Sequence, residues 1–150
     1  MKTIVTHINP DLDAVCGVWL IKRFLPGWKE AEIEFCEPQS TLDGQPVDSN
    51  PNILHVDVGM GKLDHHQSEE ITSAAKLCFD YITQQRKGQP LKELDKKALV
   101  QIIEVVNEVD NARDLNWPET KNGRNNFYLH NLIAGIRGME GSDEEAMDFG

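Results

Sequence analysis

The histidines and aspartates of this chain stand in an order that metal chemistry could use. His7, Asp11 and Asp13 fall within the run His7-Ile8-Asn9-Pro10-Asp11-Leu12-Asp13. Imidazole nitrogen and carboxylate oxygen together suit manganese, iron or zinc, so one loop offers three ligand groups. The same acids have ordinary structural uses, an Asx turn at Asp11 and a helix N-cap at Asp13. Asp57 interrupts the apolar run Ile53-Leu54-His55-Val56-Asp57-Val58. Asp is depleted in strands, and an unpaired buried carboxylate is costly. Either the strand ends at Val56 and Asp57 is solvated in a loop, or Asp57 marks the carboxyl end of a strand, where open α/β sheets bind ligands.

Asp64-His65-His66 places two adjacent histidines behind an aspartate in a chain with only five histidines. Neutral imidazole is the commonest metal ligand, and a neighbouring carboxylate fixes its tautomer. A polar turn with exposed histidines is the plainer alternative. Asp110 shares a helix face with Leu99, Ile103 and Val106, which turns it toward the core. It falls near the carboxyl end of that helix, where the dipole disfavours an anion. A nearby cation would offset both penalties; fraying of the helix before Asp110 would remove them.

The elements that must position these groups follow from periodicity and breakers. Residues 3–6 are a β-branched run and predict a strand. Asn9-Pro10-Asp11 signals a turn, and a helix is expected from an N-cap at Asp13 to about Phe24. Val15, Val18, Trp19 and Ile21 give that helix a broad apolar face, and Pro26-Gly27 stops it. Residues 31–36 alternate as a strand, 39–52 read as loop, and 53–58 fit a buried parallel strand ending in a turn at 59–62. Helices are expected over residues 73 to about 86, 91–112 and 126–137. Strands alternating with helices imply an α/β fold, a mainly parallel sheet flanked by helices on both faces.

One domain is expected over residues 1–141. Ser142-Asp143-Glu144-Glu145 is a capping-box pattern that opens a helix with only Ala146 to Gly150 to run in. Residues 142–150 therefore read as the start of a helix that makes few core contacts, a frayed end or one cut short before a C-terminal substrate domain.

The formal net charge of −10 argues against non-specific binding of duplex nucleic acid. It does not oppose an enzyme whose bound cations offset the local charge. No apolar run reaches the roughly 18 residues of a membrane span, and no secretory leader is visible. Cys16, Cys36 and Cys78 form no disulfide framework and read as small core residues, which fits a reducing cytoplasm.

In combination, these motifs resemble the ordered set of the DHH phosphoesterase family over roughly the first 115 residues. His-Ile-Asn-Pro-Asp-Leu-Asp-Ala and Asp-His-His carry most of that resemblance. Asp64-His65-His66-Gln67 and Glu108-Val109-Asp110-Asn111 are closest to its D-H-H-Q branch. The resemblance implies a manganese-dependent hydrolase acting on a phosphodiester or phosphoanhydride through a two-metal-activated water. It implies that His7, Asp11 and Asp57 hold one cation. Asp13, Asp57, His65 and Asp110 would hold the second, with Asp57 bridging. His66 would face the substrate phosphate and Asp64 would orient the histidines, both in the catalytic group. The partner would be a small phosphoester, a nucleotide or a short oligonucleotide.

The family's glycine-rich, basic substrate domain has no counterpart here; Ala134-Gly135-Ile136-Arg137-Gly138 is the nearest stretch and reads better as a helix end. A receiver-type signalling domain binding one magnesium through Asp11, Asp13 and Asp57 is the chief competing reading. It gives His7, His65 and His66 no part. A non-catalytic metal-binding domain is the other. A D-x-D phosphatase is disfavoured because Asn9-Pro10 separates the acids from the strand. Gly59-Met60-Gly61-Lys62 lacks the spacing of a phosphate-binding P-loop.

Overall fold

Four successive β-branched residues, Thr3, Ile4, Val5 and Thr6, build the central strand β1 (Thr3–His7), which is buried over its middle. In the computed structural model, which describes residues 1–118, 120, 126–138 and 142–149, β1 pairs in parallel with β2 (Glu32–Cys36) and β3 (Ile53–His55). The sheet is three-stranded in the order β2-β1-β3. It is flanked by helices α1 (Leu12–Phe24), α2 (Ala74–Gln85), α3 (Glu93–Asp110), α4 (Leu129–Gly138) and α5 (Asp143–Phe149). The α/β class expected from the sequence is the class observed, with every strand pair parallel.

The strand order creates the setting for a site. The chain leaves β1 toward β2 on one side and returns to β3 on the other. A crevice opens at such a switch, outside the carboxyl ends of the strands. His7 is the last residue of β1, and Asp57 follows β3 by two residues.

Helix α1 holds the crevice closed from one side. Val15, Val18, Leu20 and Ile21 are buried in the core with Ile4, Leu54 and Val56. Gly17 lets the helix approach closely: a Cβ there would lie 2.6 Å from Val56 Cγ1 and 3.4 Å from Cys78 Sγ. At Gly17, α1 thus packs closely against both Val56, the neighbour of Asp57, and Cys78 of α2. Helix α3 buries Leu99, Ile103 and Val106, one face at spacings of four and three residues.

Several expectations are corrected. The N-cap of α1 is Asp11, with Asp13 inside the first turn. Trp19, read as an apolar-face residue, is exposed, because a helix surface is wider than the stripe the core can cover. Strand β3 ends at His55, short of Val58, because the backbone turns into a left-handed residue at Asp57. Helix α4 begins at Leu129, three residues after the expected start, and contains Ala134 to Gly138. The capping box at Ser142 forms, with Glu145 N donating to Ser142 Oγ at 3.1 Å and Ser142 N donating to Glu145 Oε2 at 2.9 Å. The expectation of few core contacts after it does not hold: Ala146 is completely buried and Met147 packs against the core. Asp143 also accepts from Asn9 N at 2.8 Å, tying α5 to the loop after β1. Gly150, the last residue of the expected run, lies outside the described residues. No helix among the described residues is long and apolar enough to cross a membrane.

Candidate metal centre

The eight residues singled out in the sequence converge at the switch crevice. His7 ends β1, Asp11 caps α1, Asp13 lies in its first turn, Asp57 follows β3, the Asp64-His65-His66 turn follows that, and Asp110 ends α3. Three groupings bring one ligand atom per residue within 4.8 Å of the others: His7, Asp11 and Asp57; Asp13, His65 and Asp110; and Asp57, His65 and His66.

Asp57 belongs to two of these three groupings, and His65 links it to the third. The Asp57 φ of 59° is left-handed, a conformation that strains a residue bearing a Cβ and collects at functional sites. Backbone bonds on either side fix it, Val56 N to Val5 O at 2.8 Å and Asp57 N to Leu63 O at 3.0 Å. Asp57 is 3% exposed, so it is not the solvated loop residue of the plainer sequence reading, although its strand does end early. His7 Nε2 lies 3.3 Å from Asp57 Oδ2.

His65 Nε2 stands within reach of three carboxylates on three elements: Asp57 Oδ1 at 3.5 Å, Asp110 Oδ2 at 3.5 Å and Asp13 Oδ2 at 3.6 Å. None of these contacts meets hydrogen-bond geometry. His65 Nε2 and Asp57 Oδ1 are both buried without a hydrogen-bond partner. Buried polar atoms in native structures are nearly always satisfied, so two orphans facing one another mark a place where something else belongs. A divalent cation fits, since each orphan is a lone-pair donor in the deprotonated state.

The surrounding acids are held by backbone donors. Asp11 Oδ1 accepts from Asp13 N at 3.0 Å and Ala14 N at 3.1 Å. Asp13 does something the sequence did not disclose. Its carboxylate accepts from Ala74 N at 2.6 Å and Ala75 N at 2.8 Å, at the amino end of α2. Free N–H groups and the helix dipole both favour an anion there. Asp110 ends α3 in the last helical position, next to Asn111, whose amide donates to Thr72 O at 3.2 Å and Asn107 O at 2.8 Å. The helix does not fray before Asp110.

Asp64 shapes the turn carrying the histidines. Its Oδ2 accepts from Met60 N at 2.7 Å, and its Oδ1 accepts from His66 N at 3.1 Å and lies 2.6 Å from His66 Nδ1. It therefore orients His66 directly, while no bond joins its carboxylate to His65. Gln67 closes the turn by donating to Gly61 O at 3.0 Å and Asp64 O at 2.7 Å. His66 is exposed at one rim of the centre, in a cavity of about 220 Å³ shared with His7, Asp11, Asp57 and Asp64. A second cavity of about 270 Å³ opens on the α4 side, lined by Asp11, Asp13, Asp110, His130 and Asn131. A cavity of about 710 Å³ lies by the carboxyl end of α1 and includes none of the eight residues.

Without cations, protons must hold this cluster together. Burial opposes a charge on His7, but its bond to Asp57 and the contact with Ile8 O raise its pKa to about 9. The Asp57 carboxylate, against the cost of burial, raises His65 to about 9. Burial and the charge of Asp57 push Asp13 up to about 8 despite its two N–H donors. Burial also pushes Asp110 up to about 6, with His65 opposing. Asp57 moves the other way: burial is overridden by His65 and His7, which hold its carboxyl below the usual range. This is the pattern of a site short of positive charge, in which bound protons stand where cations fit.

Asp114 and His130 were not singled out in the sequence. They lie in separate elements with no motif around them, and only the fold brings them together, with His130 Nε2 3.4 Å from Asp114 Oδ2.

No protein-family model matches the chain, and no curated protein and no solved structure matches it.

Proposed function

We propose that this chain is a manganese-dependent phosphoesterase of DHH type, a hydrolase with a binuclear metal site that cleaves a phosphodiester or phosphoanhydride. The observation that carries this reading is the facing pair of buried, unpartnered ligand atoms, Asp57 Oδ1 and His65 Nε2, at the junction of three ligand groupings. His7, Asp11 and Asp57 would hold one cation; Asp13, Asp57, His65 and Asp110 would hold the other. When bound, such a pair of cations supplies Lewis acidity and lowers the pKa of water.

The chain's own residues divide the remaining work. Asp57 would help to hold both cations. Asp13 and Asp11 keep their carboxylates aimed by backbone N–H donors. Asp64 engages His66 at Nδ1, which leaves Nε2 free to meet the substrate phosphoryl group. Hydrolysis places a water oxygen on phosphorus and breaks one P–O bond, and the departing oxygen takes a proton.

The substrate class is a small phosphoester, a nucleotide or a short oligonucleotide. The net charge of −10 disfavours a role in coating duplex nucleic acid. Three unbridged cysteines favour the cytoplasm. A one-magnesium receiver-type site would leave His7 and His65 idle, whereas both lie against Asp57.

The test is turnover of an aryl phosphodiester, pyrophosphate and a short oligonucleotide. Hydrolysis of at least one is expected with manganese and none with chelator. Equal turnover in chelator contradicts a metal mechanism. Manganese-loaded protein inert toward all three would leave a metal-binding domain without catalysis.

A further inference from the structure

The described residues bury four carboxylates: Asp13, Asp57, Asp64 and Asp114. Three belong to the centre already described. Asp114, 8% exposed, does not, and it opens a single 3-10 turn, Asp114–Asn116, just beyond α3. A buried carboxylate needs a partner. The partner is His130 of α4, whose Nε2 approaches Asp114 Oδ2 to 3.4 Å.

His130 also lines the 270 Å³ cavity whose other walls include Asp11, Asp13 and Asp110. It belongs to none of the ligand groupings. The imidazole is therefore set beside the acids without joining them. Its Nε2 is taken up by Asp114 and by Asn131, whose Nδ2 lies 3.1 Å away. With Nε2 turned to Asp114 and Asn131, Nδ1 is the ring nitrogen left to meet a ligand. Nδ1 has no hydrogen-bond partner among the described residues. Among the aspartates that line this cavity, His130 is the one imidazole, and His66 lines the other cavity.

We propose that His130 is a second substrate-contacting residue, meeting a phosphoryl or leaving-group oxygen through Nδ1 in the α4-side cavity, and that Asp114 is the positioning residue that fixes its ring. This rests on the reading of the centre as a two-cation phosphoesterase. The substrate would then be gripped from two rims, by His66 and by His130, which suits a phosphoester or phosphoanhydride with oxygens on both sides of the scissile bond.

The test measures manganese content, binding of inorganic phosphate to the manganese-loaded protein, and kinetics on an aryl phosphodiester. The variants are His130→Ala, His130→Asn and Asp114→Asn. His130→Ala should keep the wild-type manganese content and weaken phosphate binding ~10-fold or more, the scale of a lost hydrogen bond to a charged group. KM should rise in step. His130→Asn, whose amide nitrogen falls near the place of Nδ1, should recover part of the loss. Asp114→Asn should weaken binding less, and its effect should not add to that of His130→Ala. Should His130→Ala fail to fold, His130→Asn and Asp114→Asn carry the comparison, and phosphate affinity equal to wild type in both overturns the proposal. Unchanged phosphate affinity in a folded His130→Ala overturns the role of His130 and leaves the phosphoesterase reading standing. Loss of manganese in His130→Ala overturns it too, since a residue outside the ligand set should not control metal content. If wild-type protein with manganese bound neither holds phosphate nor turns over substrate, both readings fall.

Discussion

His65 Nε2 and Asp57 Oδ1 lie 3.5 Å apart, both closed off from solvent and neither in a hydrogen bond. Each comes from a different loop at the carboxyl end of the sheet, and Asp57 adopts a left-handed φ of 59° to reach its place. Strain of this kind persists only where surrounding structure enforces it. Here β1, Leu63 and the close packing of Gly17 on Val56 do so.

Asp57→Asn should lower occupancy at both cation positions. The change removes one negative charge shared by two coordination spheres at nearly constant shape. Metal analysis of the purified variant checks this. Wild-type occupancy at both positions would remove Asp57 from the bridging role.

The two adjacent histidines should separate. His65→Ala should weaken only the cation held with Asp13 and Asp110, because His65 Nε2 faces those acids. His66→Ala should keep both cations while kcat falls ~10²-fold or more, as loss of a donor to developing charge does. Parallel metal content and turnover for the two variants decide the matter. Equal metal loss in both would show that His66 is a ligand.

Asp13 also has a structural task. Asp13→Ala leaves Ala74 N and Ala75 N without their acceptor at a buried helix end. Measured by urea unfolding in chelator, so that cations contribute nothing, the loss should be about 1–3 kcal/mol. Asp13→Asn keeps one acceptor and should cost less. Stability equal to wild type in both would mean that water replaces the carboxylate at α2.

Metal-free protein should lose stability as pH rises. His7 and His65 sit near pKa 9 when folded, against an ordinary 6.5, so their contribution is complete below 6.5 and is lost as pH passes through 9. Asp13 and Asp110, raised from 3.8 to about 8 and about 6, act in the same direction as pH climbs through those values. Asp57, held low, contributes above 3.8 and loses its part only in acid. Thermal melts in chelator should therefore show Tm falling between about pH 6 and 9. Added manganese should flatten that dependence, because it replaces the protons. A Tm that rises with pH in chelator would contradict the proton-filled cluster.

That the eight singled-out residues meet at one rim was legible in the sequence, because their loops follow parallel strands. His7, Asp11 and Asp13 in one loop after a strand, and Asp64-His65-His66 after another, needed only the rule that such loops share a rim. The parallel sheet was legible from β-branched runs separated by helical periods. What depends on distant parts of the chain was not. Asp13 anchors the amino end of α2 from 61 and 62 residues away, so its local look as an N-cap was misleading and Asp11 took that position instead. The early end of β3 follows from the backbone turn at Asp57, which no composition signal announces. Ala146 is buried because α5 is tied through Asp143 to the loop after β1, a contact spanning 134 residues. The pairing of Asp114 with His130 is equally non-local.

The most direct measurement is the number of manganese ions bound per chain, taken by equilibrium dialysis of chelator-stripped, full-length protein at neutral pH. Two orphaned ligand atoms between His7, Asp11 and Asp57 on one side and Asp13, His65 and Asp110 on the other call for about two ions. Two ions bound, with occupancy at both positions falling in Asp57→Asn, is the predicted result. One ion or none, at manganese concentrations that saturate the protein, would contradict a binuclear centre.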